Sequence, residues 1–120
     1  MKQSFIIPNA DKVKLGNQIM AVLRPGRQNA ITGKSIAFRL NEPDDRRIRV
    51  VIRDLIAQGI PIASSVTEPM GFYIVVNEDE AAEYLRVLDN RIREDKARRD
   101  DFAHACAVKG FRLPFQETLL

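Results

Sequence analysis

A chain of 120 residues, 45% apolar and 29% charged, is long enough for one globular domain, and its composition argues against wholesale disorder. One cysteine (Cys106) and one histidine (His104) exclude an intramolecular disulfide and a single-chain Cys/His zinc site, and they fit a reducing, cytoplasmic setting. The formal charge of +3 is uneven: residues 1–60 carry 11 Lys/Arg against 5 Asp/Glu, residues 61–120 carry 8 against 11, so the front half is basic and suits an acidic partner such as nucleic acid.

The stretch MKQSFIIPNADK is too weakly apolar for a signal peptide, and no run approaches the ~18–20 apolar residues that span a bilayer, so no membrane partner is expected. Residues 1–10 read as a short apolar arm, with Phe5, Ile6 and Ile7 ending at Pro8. From Asp11, the expected cap, Leu15, Ile19, Val22 and Leu23 repeat with helical period until Pro25-Gly26. Asn29-Ala30-Ile31 suits a one-rung strand. Thr32 then caps a short helix, Gly33 to Leu40, with Ile36, Ala37 and Leu40 on one face. Asn41-Glu42-Pro43 supplies a start for the third helix and Gly59 a stop. Between them Ile48, Val51, Ile52, Leu55 and Ile56 form a core-facing stripe.

After Gly59 the pattern changes to strands. Ile60 to Val66 and Phe72 to Val76 flank a Pro- and Gly-containing spacer, the signature of an antiparallel hairpin. Asn77 and Glu80 form a capping box for a long helix over 78–109, in which Ala81, Leu85, Leu88 and Ile92 continue the apolar stripe. The charged run EDKARRDD interrupts that stripe before Phe102, Ala105 and Cys106 resume it, and the tail FRLPFQETLL occupies 111–120. The fold class expected is therefore α+β: a 1–10 arm, a three-helix-plus-hairpin domain over 11–77, a long helix, and a 110–120 tail.

Helix, short strand, helix, helix and hairpin is the element order of a winged helix-turn-helix. The residues AITGKSIAFRL, RRIRVVIRDLIAQGIPIASS and GFYIV resemble the winged-helix class represented by the DNA-binding domain of the biotin operon repressor. They are also similar to small winged-helix proteins of phages and prophages. The resemblance covers roughly residues 13–77. It implies a cytoplasmic, non-enzymatic protein that binds double-stranded DNA, in transcription regulation or phage replication. The ligase domain of the repressor has no counterpart here, so no ligase activity is implied. NEPDD stands where the class has a compact turn, placing two acids at the start of the presumed reading helix.

On that helix Arg46, Arg49 and Arg53 lie opposite the aliphatic stripe, with Arg47 at the flank. Guanidinium groups so placed can reach phosphates or grip guanine O6/N7 in a major groove. The competing reading is a solvated face laced by Glu42–Arg46 and Asp45–Arg49 pairs. Lys34 and Ser35, at the start of the second helix, are candidate phosphate contacts, although Ser35 can equally complete a cap. Ser64, Ser65 and Thr67 are candidate hairpin contacts to the DNA backbone, opposed by Glu68. Arg24 and Arg27 read as surface residues.

A homodimer through the long helix, with Leu85, Leu88, Ile92 and Phe102 as its seam, would double the DNA contacts; packing within their own domain is the preferred account of Leu85 and Leu88. GRQNAITGKS is not a phosphate-binding P-loop, because six residues rather than four separate Gly26 and Gly33. His104 and Cys106, two apart on a helix, diverge, so no metal or other cofactor is expected. A winged-helix module for protein assembly, without DNA, is the alternative that the acids of NEPDD favour.

Overall fold

In the computed structural model, residues 6–113 are described; the candidate arm residue Phe5 and the tail beyond 113 lie outside them. The elements are α1 (Asn9–Val22), a 3-10 turn (Arg27–Asn29), α2 (Gly33–Arg39), α3 (Arg46–Ala57), β1 (Ile62–Ser65), β2 (Gly71–Ile74) and α4 (Glu78–Val108). The architecture is α+β: three helices and a two-stranded antiparallel hairpin, followed by a long fourth helix. Two compact units divide after Ala82, so the first turn of α4 belongs to the first unit. Among the described residues no helix is long and apolar enough to cross a membrane.

In the first unit α1 buries Leu15 and Ile19 one turn apart, and Leu23, the residue that caps its end, is buried with them. It begins at Asn9, earlier than Asp11, because Pro8 initiates it: the Lys12 N–H donates to the Pro8 carbonyl at 3.0 Å. Asp11 therefore sits inside the first turn, where its charge faces the positive helix end. The 1–10 segment is not merely an arm, since Ile7 is buried in the core.

Thr32 caps α2 as its type suggests, its Oγ1 accepting from the Ser35 N–H at 3.1 Å. At the other end Asn41 adopts φ 59° and terminates the helix instead of starting the next. The Glu42 N–H donates to the Ala37 carbonyl at 2.9 Å and that of Asn41 to Phe38 at 3.3 Å, a Schellman closure that a left-handed asparagine allows. Residues 41–45 are thereby turn, and α3 starts only at Arg46, whose N–H is taken by Asp44 Oδ1 at 3.0 Å.

Ile48, Val51, Ile52 and Leu55 of α3 are 0 to 8% exposed, while Ile56 is 45% exposed and lies off the stripe. Gly59, at φ 108°, ends the helix, with the Ile60 N–H donating to the Leu55 carbonyl at 3.1 Å. These side chains meet Ile36 and Ala37 of α2, the α1 residues and Ile62 in one core. Lys12 of α1 and Asp54 of α3 pair across their contact at 3.2 Å.

The strands are shorter than their apolar runs, with Ile62 opposite Ile74 and Ser65 opposite Gly71. β2 bonds on both edges. Besides β1, it exchanges hydrogen bonds with Ile31 (Ile31 N to Phe72 O, 2.9 Å; Phe72 N to Ile31 O, 2.7 Å), so Ile31 is the one-rung strand of this fold. Further along, Gly26 N donates to Ile74 O at 2.8 Å and Ile74 N to Arg24 O at 3.0 Å. α4 is capped by Asn77, whose Oδ1 accepts from the Glu80 N–H at 2.9 Å. The Glu80 carboxylate returns to the Val76 N–H at 3.1 Å, one residue before the usual box position, and also holds the Arg27 N–H at 3.0 Å.

In the second unit α4 ends at Gly110, φ 86°, with Phe111 N donating to Cys106 O at 2.9 Å. Ala103 and Cys106 are its buried residues. Phe102 and Ala105, expected on the same face as Cys106, are exposed, because the covered strip runs through i and i+3 at 103 and 106.

Gly71 is held at φ 123° with its α-carbon against Ile31; a Cβ there would lie 2.2 Å from the Ile31 carbonyl. Gly71→Ala is expected to destabilise the first unit by at least ~2 kcal/mol, read as a lowered thermal midpoint.

Candidate functional site

Because the aliphatic face of α3 is buried, its opposite face presents Arg46, Arg49 and Arg53 to solvent, the side chains of Arg46 and Arg49 being 74% and 60% exposed. Each arginine of the first turn meets an acid of the preceding turn. Arg46 pairs with Asp44 at 3.1 Å, Arg49 with Asp45 at 2.9 Å, and Arg47 with Glu42 at 3.2 Å. The Asp45–Arg49 pair has the expected i, i+4 spacing. Glu42 does not reach Arg46 and takes Arg47 instead, because Glu42 closes α2 rather than opening α3. The Arg47 Nε is buried and its N–H is not aligned on the Glu42 carboxylate, so this guanidinium is a packing element at the flank. Arg53 is exposed and has no ion pair among the described residues.

Arg49 also lies over the Phe72 ring, 5.6 Å from its centroid, which joins α3 to the hairpin. The Asp45 carboxylate is close to the N-terminus of α2: a Cβ on Gly33 would be 3.0 Å from its Oδ2. The positive end of α2, where Lys34 and Ser35 lie, thus already faces an acid. Both side chains are exposed. Lys34 helps to line an open cleft of about 330 Å³ with Phe38, Pro43 and Asp44, and Phe38 there is 85% exposed.

The hairpin loop is organised by a residue that looked unremarkable in the sequence. The Arg27 guanidinium donates to Ser65 Oγ at 3.1 Å and to Thr67 Oγ1, while Ser65 Oγ donates to the Thr67 carbonyl at 2.8 Å. Ser65 and Thr67 are therefore engaged in holding the loop, and Ser64 is half-buried in β1. Nothing local in the sequence ties Arg27 to residues 38 and 40 positions away; the contact exists because β2 lies between β1 and the 24–31 segment. The structure thus groups Arg46, Arg49 and Arg53 on one helix face, and separately joins Ser65 and Thr67 to Arg27.

On α4, Leu85, Ile92 and Phe102 are 59%, 66% and 69% exposed, and Leu88 is half-buried. His104 is exposed whereas Cys106 is buried, and among the described residues no three His, Cys, Asp or Glu side chains converge as a metal site would require. No family model matches the chain, and neither a curated protein nor a solved structure matches it.

The Asp44 carboxyl is held below the ordinary aspartate range, first by the Arg46 backbone N–H and then by the Arg46 side chain. A depressed aspartate contributes its pairing above the unfolded pKa and loses it as pH falls through the folded one. NMR titration is expected to show Asp44 ionised throughout neutral and mildly acidic pH, with its midpoint moving up in Arg46→Ala.

Proposed function

We propose that the first unit is a winged helix-turn-helix that binds double-stranded DNA through α3, in a non-enzymatic protein regulating transcription or assisting replication of bacterial or phage type. One observation carries the reading: a helix buried along its whole aliphatic face turns three arginines outward, beside a hairpin whose central strand also pairs with a rung between α1 and α2. That arrangement suits insertion of α3 into a major groove with the hairpin alongside the backbone. The resemblance of residues 13–77 to the winged-helix class supports the same assignment.

The acids of the 41–45 turn do not oppose it decisively. Exposed ion pairs are worth ~0–1 kcal/mol, and a phosphate presents a stronger, multidentate acceptor to the same guanidinium. Arg53 needs no exchange. In this reading Arg49, steadied over Phe72, and Arg53 reach into the groove, and Arg46 takes a phosphate once it leaves Asp44. Lys34 adds positive field at the edge; Ser65 and Thr67 act by fixing the loop through Arg27. A second reading, a protein-assembly module of the same fold, is favoured by the neutralisation of Arg46, Arg47 and Arg49 within their own chain.

Fluorescence anisotropy with random duplex DNA at low salt separates the two. DNA binding through about four to six phosphates would weaken by roughly two to three decades between 50 and 200 mM salt. Joint replacement of Arg46, Arg49 and Arg53 by Ala should abolish it. Asp44→Asn should tighten binding about two- to five-fold by releasing Arg46. Absence of binding by the unmodified chain at low salt sinks the proposal and leaves the assembly reading.

A further inference from the structure

The second unit carries an apolar strip that the DNA reading does not use. Along α4, residues 85, 88, 92, 95, 99 and 102 follow one another at alternating spacings of three and four, the heptad seam of a coiled coil. Leu85, Ile92 and Phe102 on this strip are among the most exposed large apolar residues of the helix. The strip is not uniformly apolar: Asp95 and Arg99 occupy its middle, one turn apart, flanked by Ile92 before and Phe102 after.

This order is self-complementary in one direction only. Two copies laid parallel would set Asp95 against Asp95 and Arg99 against Arg99, each a like-charge pair at a buried position. Two copies laid antiparallel about Ala97 set Asp95 of each opposite Arg99 of the other, and Ile92 opposite Phe102. We infer that α4 pairs antiparallel with α4 of a second copy of this chain, through two Ile92–Phe102 contacts enclosing two Asp95–Arg99 ion pairs.

The local structure is compatible with the exchange this requires. Asp95 presently meets Arg98 at 3.3 Å and Arg99 meets Asp100 at 3.1 Å, all four side chains being 40 to 79% exposed. Exposed pairs of this kind contribute little to stability, so giving them up opposes the pairing little. Residues 92–102 carry four basic and four acidic side chains, so the paired segments do not repel as wholes. In this register Leu88 and Leu85 fall opposite Cys106 and Lys109, so the paired stretch is confined to residues 92–102. Cys106, next in the heptad after Phe102, is already covered within its own chain and marks the end of the strip. The pairing is independent of the DNA reading and can fail or hold without it.

Sedimentation of the full chain at micromolar concentration is expected to show a dimer. Ile92→Glu should weaken it at least about ten-fold with helicity by circular dichroism unchanged, while Arg93→Glu, off the seam, should leave it intact. For direction, Ile92→Cys and Phe102→Cys chains are prepared separately in a Cys106→Ala background, mixed and oxidised. Disulfides joining one chain to the other, with neither chain linking to itself, are the expected result. A monomer throughout, or Ile92→Cys chains linking to one another, overturns the inference.

Discussion

The aliphatic face of α3 is the constraint on which the first unit depends. Ile48, Val51, Ile52 and Leu55 are sealed against α1, α2 and Ile62, and a helix that buries one side so completely has no freedom to rotate about its axis. Burial of each such side chain contributes ~1.5–3 kcal/mol relative to exposure, far more than any of the surface ion pairs. The direction in which Arg46, Arg49 and Arg53 point is thus set by the core behind them. The same core aligns the hairpin, because Ile62 belongs to it and β2 is bonded on its far edge to Ile31 and the 24–26 segment.

Around that rigid element the charges are arranged with an economy of short-range partners. The 41–45 turn follows a left-handed Asn41, and its three acids each receive one arginine of the first turn of α3. Asp45 does two things, facing the N-terminus of α2 and holding Arg49 over Phe72. Arg27 and Glu80 perform a comparable service on the other side, tying the hairpin loop and the start of α4 to the 3-10 turn. Among the described residues Arg53 has no ion-pair partner, whereas Arg46, Arg47 and Arg49 are each paired within their own chain.

The second unit follows a different logic. Its helix has charge at nearly every position between Ile92 and Phe102, yet the two signs balance, and three of its exposed large apolar residues, Leu85, Ile92 and Phe102, share one seam. In the antiparallel pairing proposed above, direction along that seam would be set by Asp95 and Arg99, as polar positions in coiled coils commonly specify register at some expense of stability.

Periodicity made the helices, the hairpin and the α3 stripe legible, because a buried face repeats at the spacing of its element whatever it packs against. Thr32, Gly59 and Asn77 were legible as caps for the same reason: a cap needs only its own neighbours. The start of α3 was not, since Asn41 and Pro43 suit both the end of one helix and the beginning of another, and the Ala37 carbonyl decided between them. Sequence alone determined that Ile48, Val51, Ile52 and Leu55 of α3 turn inward and that basic residues back them, although it also placed in the stripe Ile56, which the structure leaves exposed. The Asp45–Arg49 pair was legible from its i, i+4 spacing, whereas the local path of the 41–45 turn decided that Asp44 takes Arg46 and Glu42 takes Arg47. Only the tertiary structure decided that Arg27 reaches Ser65 and Thr67 and that Gly71 admits no side chain, because these depend on segments far apart in the chain being brought within a few ångströms by the packing of the core.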